Sequence, residues 1–283
     1  MCLDNGEKIE VIKANKGKYK ISSMCKYLRV ARSTVYKEKK DKKYDTELDN
    51  SVIKTFYENR SIFGTRKIKV ELAKQGHRVS RGKIGKIMKK YNLVSKYTLK
   101  NKPKHTNNKV NEDPTANLLN RQFNDREVLE AVVSDLTYVK VGGIWRYTCL
   151  LLDIGCRKIL GYAAGNHKDA ELVMKAFYSA DCDLRCIKIF HTDRGSEFKN
   201  KLIDDIINTF GIKRSLSAKG TPIDNAVAEA MYKVFKTEFV FGENFDNMDD
   251  FQLKLFDYVN WYNNVRPHGS LNYLTPNEAF TKM

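Results

Sequence analysis

Three acidic residues stand where an ordinary surface charge is not expected. Asp135 interrupts the apolar run Ala131–Leu136, Asp193 sits just past the mostly apolar stretch Cys186–His191, and Glu229 lies on a helix behind Pro222–Ala226. A carboxylate in or beside a central strand is costly unless positive charge compensates it. Divalent cations would do so. Mg²⁺ prefers hard oxygen ligands and keeps waters, so two or three carboxylates suffice to hold it. Two such ions about 4 Å apart can activate an attacking oxygen and stabilise a leaving one in phosphodiester chemistry. Taken singly, each acid reads as well as an ion-pair partner, a turn residue or a helix-surface glutamate. All three together, beside a strongly basic segment, point to the metal-assisted reading.

The elements that must position these acids form a mixed α/β pattern. Residues 128–141 are β-branched and aromatic, Gly142 and Gly143 supply a hairpin turn, and 144–152 and 158–165 complete a three-stranded meander. An amphipathic helix is predicted over 169–180, a short buried strand over 186–191, a helix over 198–210, a strand over 212–217 and a helix over 226–239. Antiparallel strands followed by alternating helices and strands fit a ribonuclease-H-like fold.

Charge divides the chain. Of its 283 residues, 51 are Lys or Arg against 34 Asp or Glu, a net +17. Residues 1–110 hold 30 basic and 10 acidic side chains, whereas the remainder holds 21 and 24. A basic front half with apolar periodicity points to a polyanionic partner, nucleic acid above all. Residues 19–28 and 30–36 read as a helix-turn-helix, with Ser33 or Thr34 able to cap the second helix. A second helical block covers 46–96. Leu48, Val52, Phe56 and Tyr57 trace one face, and a helix follows the turn Phe63–Arg66. A third is capped by Ser80 with Ile84, Ile87 and Met88 inward. Arg81, Lys83, Lys86, Lys89 and Lys90 then fall on its outer face, where they suit DNA phosphates. The polar stretch 101–115 reads as a linker.

Several residues take plainer readings. His191 is expected to hydrogen-bond locally, Cys182 and Cys186 to be buried thiols, and Trp145 and Trp261 to be core. Asp224 and Asn225 are expected to shape and cap the Glu229 helix. No apolar run reaches the ~20 residues that span a bilayer. Residues 1–10 have no secretory pattern, and six cysteines without metal-ligand rhythm suit a reducing cytosol.

Taken in order, Ser134–Tyr138, His191–Phe198 and Lys219–Glu229 resemble the motifs of DDE transposases. The 35 residues between Asp193 and Glu229 match the spacing of retroviral integrases and their bacterial relatives. The stretch Phe63–Ile68 and the closing Trp261–Leu271 resemble the OrfB product of the insertion-sequence family whose transposase is made by frameshift fusion. Retroviral integrase itself fits less well, since no His-His-Cys-Cys module precedes the core. The sequence departs from the common pattern at Arg194 and Glu197, where relatives carry Gln or other polar residues.

The resemblance implies helix-turn-helix-like (1–42) and helical DNA-binding (43–100) segments, a linker (101–124), and a ribonuclease-H-like core with a helical tail (125–283). It implies Asp135, Asp193 and Glu229 as catalytic and metal-holding residues, a pair of Mg²⁺ or Mn²⁺ ions, and Lys236 on DNA, with Arg66 and Lys67 beside the basic helix. The expected partners are double-stranded DNA (terminal inverted repeats and target), further copies of the chain as a homo-oligomer on DNA, and the upstream-frame protein. No membrane is expected, and the location is the bacterial cytoplasm at the nucleoid. Two other readings share these features: an inactive DNA-binding regulator and a nuclease that only hydrolyses.

Overall fold

The computed structural model describes residues 4–36, 46–98, 115–218 and 221–282. The chain divides into two compact units, Met1–Asp49 and Asn50–Met283. In the first, helices α1 (Asn5–Ala14), α2 (Ile21–Tyr27) and α3 (Arg32–Tyr36) pack around Ile12, Cys25, Val30 and Val35. Helix α1 had no clear apolar stripe to announce it. What starts it is a capping box: the Asp4 carboxylate accepts from the Glu7 amide, and the Glu7 carboxylate accepts from the Asp4 amide, each at 2.8 Å. The expected cap of α3 is not made, because α3 begins at Arg32 and takes Ser33 and Thr34 into its first turn.

Helices α4 (Thr46–Glu58), α5 (Thr65–Lys74) and α6 (Arg81–Lys90) follow. Val52 and Phe56 are buried on α4, but Tyr57 points to solvent rather than continuing that face. The Ser80 hydroxyl accepts from the Lys83 amide at 3.2 Å and caps α6 as its sequence predicts. Residues 99–114, most of the expected linker, lie outside the described residues. The part that is described is no free tether. Leu119 is fully buried, the Leu118 amide donates to Ser215 Oγ at 2.9 Å, and Arg121 Nε donates to Asp224 at 2.7 Å.

The core is a five-stranded sheet in the order β3-β2-β1-β4-β5. Strands β1 (Ala131–Val141), β2 (Ile144–Asp153) and β3 (Ile159–Gly165) form the antiparallel meander, while β4 (Ile189–Thr192) and β5 (Lys213–Leu216) run parallel to β1. The β1–β2 turn has φ of 54° at Gly142 and 83° at Gly143, the left-handed pair that a two-residue hairpin requires. Helices α7 (Ala170–Tyr178) and α8 (Lys201–Thr209) enclose a core of Val132, Cys149, Leu151, Phe177, Phe190 and Ile203. Helix α8 starts later than its sequence suggests, because Asn200 caps it by accepting from the Leu202 amide.

Helix α9 (Ala226–Phe235) packs on β1 and α10 (Met248–Asn264) on β3; α11 (Pro276–Lys282) closes the chain. The predicted single helix 226–239 changes pitch part-way: α9 ends at Phe235 and Lys236–Val240 forms a wider π turn. That turn buries Glu238, whose carboxylate receives Arg266 through Nε and Nη2 at 2.8–3.0 Å and the Tyr97 hydroxyl at 2.5 Å. Among the described residues no helix is long and apolar enough to cross a membrane.

Candidate active site

Strand β4 pairs with β1 only through Ala131, Val132 and Val133. Beyond Val133 the two strands have no ladder between them, and the sheet opens at the carboxyl end of β4. Open sheets place their ligand crevices at such points. Alternation along β1 sends Val132 and Leu136 into the α7–α8 core, so Asp135 faces the other way. Its Oδ1 accepts from the Leu136 amide at 2.7 Å. Asp193 follows directly on β4, and its Oδ1 accepts from the Gly195 amide at 2.9 Å.

These two carboxylates feel each other. Burial, and then the charge of Asp193, pushes the Asp135 pKa up to about 7. Burial also raises Asp193, with Glu197 adding like charge. Glu197 is a third acid here, buried, that the sequence did not single out for this site. Its carboxylate lies where a side chain on Gly195 would begin, 2.4 Å from an ideal Cβ, so any larger residue there would displace it. Lys168 compensates it at 2.9 Å. Burial alone would depress the Lys168 ammonium, but Glu197, Asp193 and Asp135 together hold its pKa above the usual lysine value. Lys168 sits in a polar loop with no sequence signal to mark it.

Glu229 occupies the first turn of α9 and is exposed. Among the described residues no three His, Cys, Asp or Glu side chains converge tightly enough to hold an ion together. The structure therefore brings Asp135 and Asp193 together and leaves Glu229 at the rim. What ties its helix to the site is Tyr232, three residues further along. The buried Tyr232 hydroxyl donates to the Asp135 carbonyl and accepts from the Leu150 amide at 2.9 Å. Lys236 places its ammonium 4.5 Å from the Tyr138 ring centre. Burial lowers its pKa, and the charge of Asp135 partly offsets this.

Around the crevice the plainer readings separate. His191 is fully buried, with Nδ1 2.8 Å from Ser215 Oγ and Nε2 donating to the Asp224 carbonyl at 3.1 Å. Burial drops its pKa to about 4, so it is a neutral structural hydrogen-bonding group, as expected. Asp224 braces the loop before α9 by accepting from the Ala218 amide and Arg121, but Asn225 makes no side-chain cap. Arg194 donates to the Ser217 carbonyl at 2.8 Å. Lys219 and Gly220 lie outside the described residues. Trp261 is core, but Trp145 is 55% exposed, and Cys186 is exposed rather than buried. Both corrections have one cause: each residue stands at the end of its element, where no helix covers it.

On α6, Arg81, Lys83, Lys86, Lys89 and Lys90 are all exposed, opposite the buried Ile84, Ile87 and Met88. Arg66 on α5 is exposed too. Lys67 stands apart: it is partly buried, with its ammonium 5.1 Å from the Phe63 ring centre. Burial and Arg266 bring its pKa down to about 8.

Comparison with known proteins agrees with this layout. Residues 43–101 match an HTH-like domain, and residues 125–222 and 210–276 match integrase core domains. The insertion element IS600 31 kDa protein of Shigella sonnei is 32% identical over 265 residues, covering 89% of this chain and 96% of that protein. The IS904 transposase of Lactococcus lactis is 28% identical, covering 82% of this chain and 92% of its own. The HTLV-2 integrase catalytic core domain in complex with magnesium aligns with 53% of this chain and 95% of its own, at 12% identity and a TM-score of 0.42. The chain belongs to the insertion-sequence transposases, with an HTH-like domain ahead of a ribonuclease-H-like integrase core.

Proposed function

We propose that this chain cuts the ends of an insertion sequence and joins them to target DNA by metal-dependent polynucleotidyl transfer. The observation that carries the reading is the pair Asp135 and Asp193. They come from two different strands, meet at the opening of the sheet, and are held above the ordinary carboxylate range by burial and, for Asp135, by its neighbour's charge. Two half-buried like charges have a deficit of positive charge that a divalent cation fits. Asp135 and Asp193 would hold Mg²⁺ or Mn²⁺, with Glu229 approaching from the first turn of α9. When bound, the metal supplies Lewis-acid polarisation of the phosphate and charge for the attacking and leaving oxygens.

The chain's own groups position the substrate. Tyr232 fixes the Asp135 backbone against α9, so the strand and the helix bearing Glu229 keep their spacing. Lys236 offers an ammonium to a phosphate beside the carboxylates. The exposed row on α6 grips duplex backbone away from the chemistry, giving binding that weakens as salt rises. Two element ends must be handled together, so the working form is a homo-oligomer on DNA, assembled alone or with the upstream-frame protein.

The test mixes the protein with labelled element ends and Mg²⁺ or Mn²⁺. Nicked and joined strands are expected. Asp135→Asn, Asp193→Asn and Glu229→Gln should each abolish both products while leaving DNA binding and folding intact. Full activity in any one removes that residue from the site. Hydrolysis without joining selects a nuclease, and binding without cleavage selects a DNA-binding regulator.

A further inference from the structure

The β1–β2 hairpin carries an aromatic surface that the cleavage reading leaves unused. Tyr138, Lys140, Trp145 and Tyr147 share one face, since Tyr138 pairs with Tyr147 and Lys140 with Trp145. Trp145 is 55% and Tyr138 42% exposed. Their rings meet edge to face at 5.1 Å and 90°. Lys236 lies over Tyr138, and Lys140, across the ladder from Trp145, is exposed. Whichever ring presents its edge, Trp145 keeps at least one face open.

Leaving a Trp and a Tyr in water forfeits a large burial energy, and the hairpin is not loose enough to explain it. The Gly142 amide donates to the Phe245 carbonyl at 2.8 Å, and Phe245 packs on Phe239 and Phe251. A Cβ at Gly142 would stand 2.8 Å from the Asp246 carbonyl, so the turn is seated closely on that segment. The rings are therefore held rigidly, on the face of β1 opposite Asp135, and Lys236, which lies over Tyr138 and feels the charge of Asp135, connects the two.

Resting on the transposase reading above, we propose that Tyr138 and Trp145 form a stacking platform for an unpaired nucleobase at the DNA end, with Lys236 and Lys140 holding its flanking phosphates. The chemistry selects this occupant. Ammonium groups interleaved with open aromatic faces suit a polyanion carrying flat bases. Bases inside a duplex hide both faces in the stack and a terminal pair exposes only its outer one, so a base drawn out of the stack suits the ring best. A frayed terminus would thereby be kept open within reach of Lys236.

The test uses the full chain in EDTA, which separates it from cleavage. The probes are a blunt duplex and the same duplex with mismatched terminal pairs. Wild type should prefer the mismatched end and show quenched tryptophan emission on binding it. The quench should vanish in Trp145→Phe, because Trp261 is buried. Trp145→Ala should lose about 5- to 100-fold in affinity for the mismatched end, from the usual worth of one stacked base. Its affinity for the blunt duplex should not change. Trp145→Phe should keep most of the preference. Equal binding of both probes by wild type, or an undiminished preference in Trp145→Ala, overturns the platform. So does a Trp145→Ala variant whose only change is its oligomeric state, which would make this face a protein contact. An inert Asp135→Asn with unaltered base preference in Trp145→Ala sinks the platform alone. A cleaving Asp135→Asn sinks the cleavage reading alone.

Discussion

At the scale of single residues, the crevice is organised by charge spacing. Asp135 and Asp193 raise the local demand for cations, and two lysines answer it differently. Lys168 is bound to Glu197, whereas Lys236 rests on an aromatic ring and makes no ion pair with Asp135. Lys236 is therefore the lysine free to exchange its partner for a phosphate. Lys236→Ala should weaken binding to element ends and slow their processing while leaving divalent-ion binding unchanged, measurable by calorimetry on the DNA-free protein. Lys236→Arg should retain much of the activity because the charge stays. Unchanged end affinity and cleavage in the alanine variant would return Lys236 to ordinary surface charge. Asp135 stood out because a charge inside an apolar strand breaks a local pattern, whereas Asp193, Glu229 and Lys236 stood out through motif order and spacing that resemble a known family. Lys168 and Glu197 did not, since each occupies a polar loop where a charge breaks nothing.

Among the elements, α6 shows how far periodicity reaches. Its 3.6-residue repeat placed Ile84, Ile87 and Met88 inward and the basic row outward, as found. Reversing Lys83, Lys86 and Lys89 together to Glu should lower DNA affinity more than three equivalent changes on the catalytic surface. It should also flatten the salt dependence, since each phosphate neutralised adds about 0.9 to the slope with which log K falls against log salt. A salt slope identical to wild type would show that α6 does not contact phosphate. Periodicity was less informative at element ends. Nothing local predicted that α9 would widen into a π turn at Lys236, because the cause is distant: Glu238 turns inward to meet Arg266 and Tyr97. Likewise, the β-branched run and Gly-Gly pair specified the hairpin, but whether Trp145 ended up covered depended on helices that stop short of it.

For the molecule as a whole, the Glu238–Arg266 cluster joins the helical block to the integrase core within one compact unit. His268 belongs to it, with Nε2 accepting from Arg266 Nη1 at 2.8 Å. Burial, then the Arg266 charge, lowers the His268 pKa from 6.5 to about 2. A depressed histidine pKa means the unfolded chain binds the proton that the folded chain refuses. This contribution to stability is present above pH 6.5 and is lost as pH falls towards 2, at up to about 1.4 kcal/mol per pH unit. Melting curves between pH 7.5 and 5 should show that loss, and His268→Gln should flatten it. Equal slopes in the two proteins would show that His268 does not couple folding to pH.

The sequence by itself determined the family, the α/β class, the basic front half and the acids worth watching. These follow from composition, motif order and the short-range repeats of helix and strand, which any segment expresses alone. Tertiary structure decided which of those acids stand together, that Lys168 neutralises Glu197, that Arg121 ties the linker's end to Asp224, and that Trp145 faces solvent. Each of these depends on where β1 parts from β4 and on which distant segment packs beside it. Such convergence is set by long-range register and packing, and no local stretch of the chain encodes it.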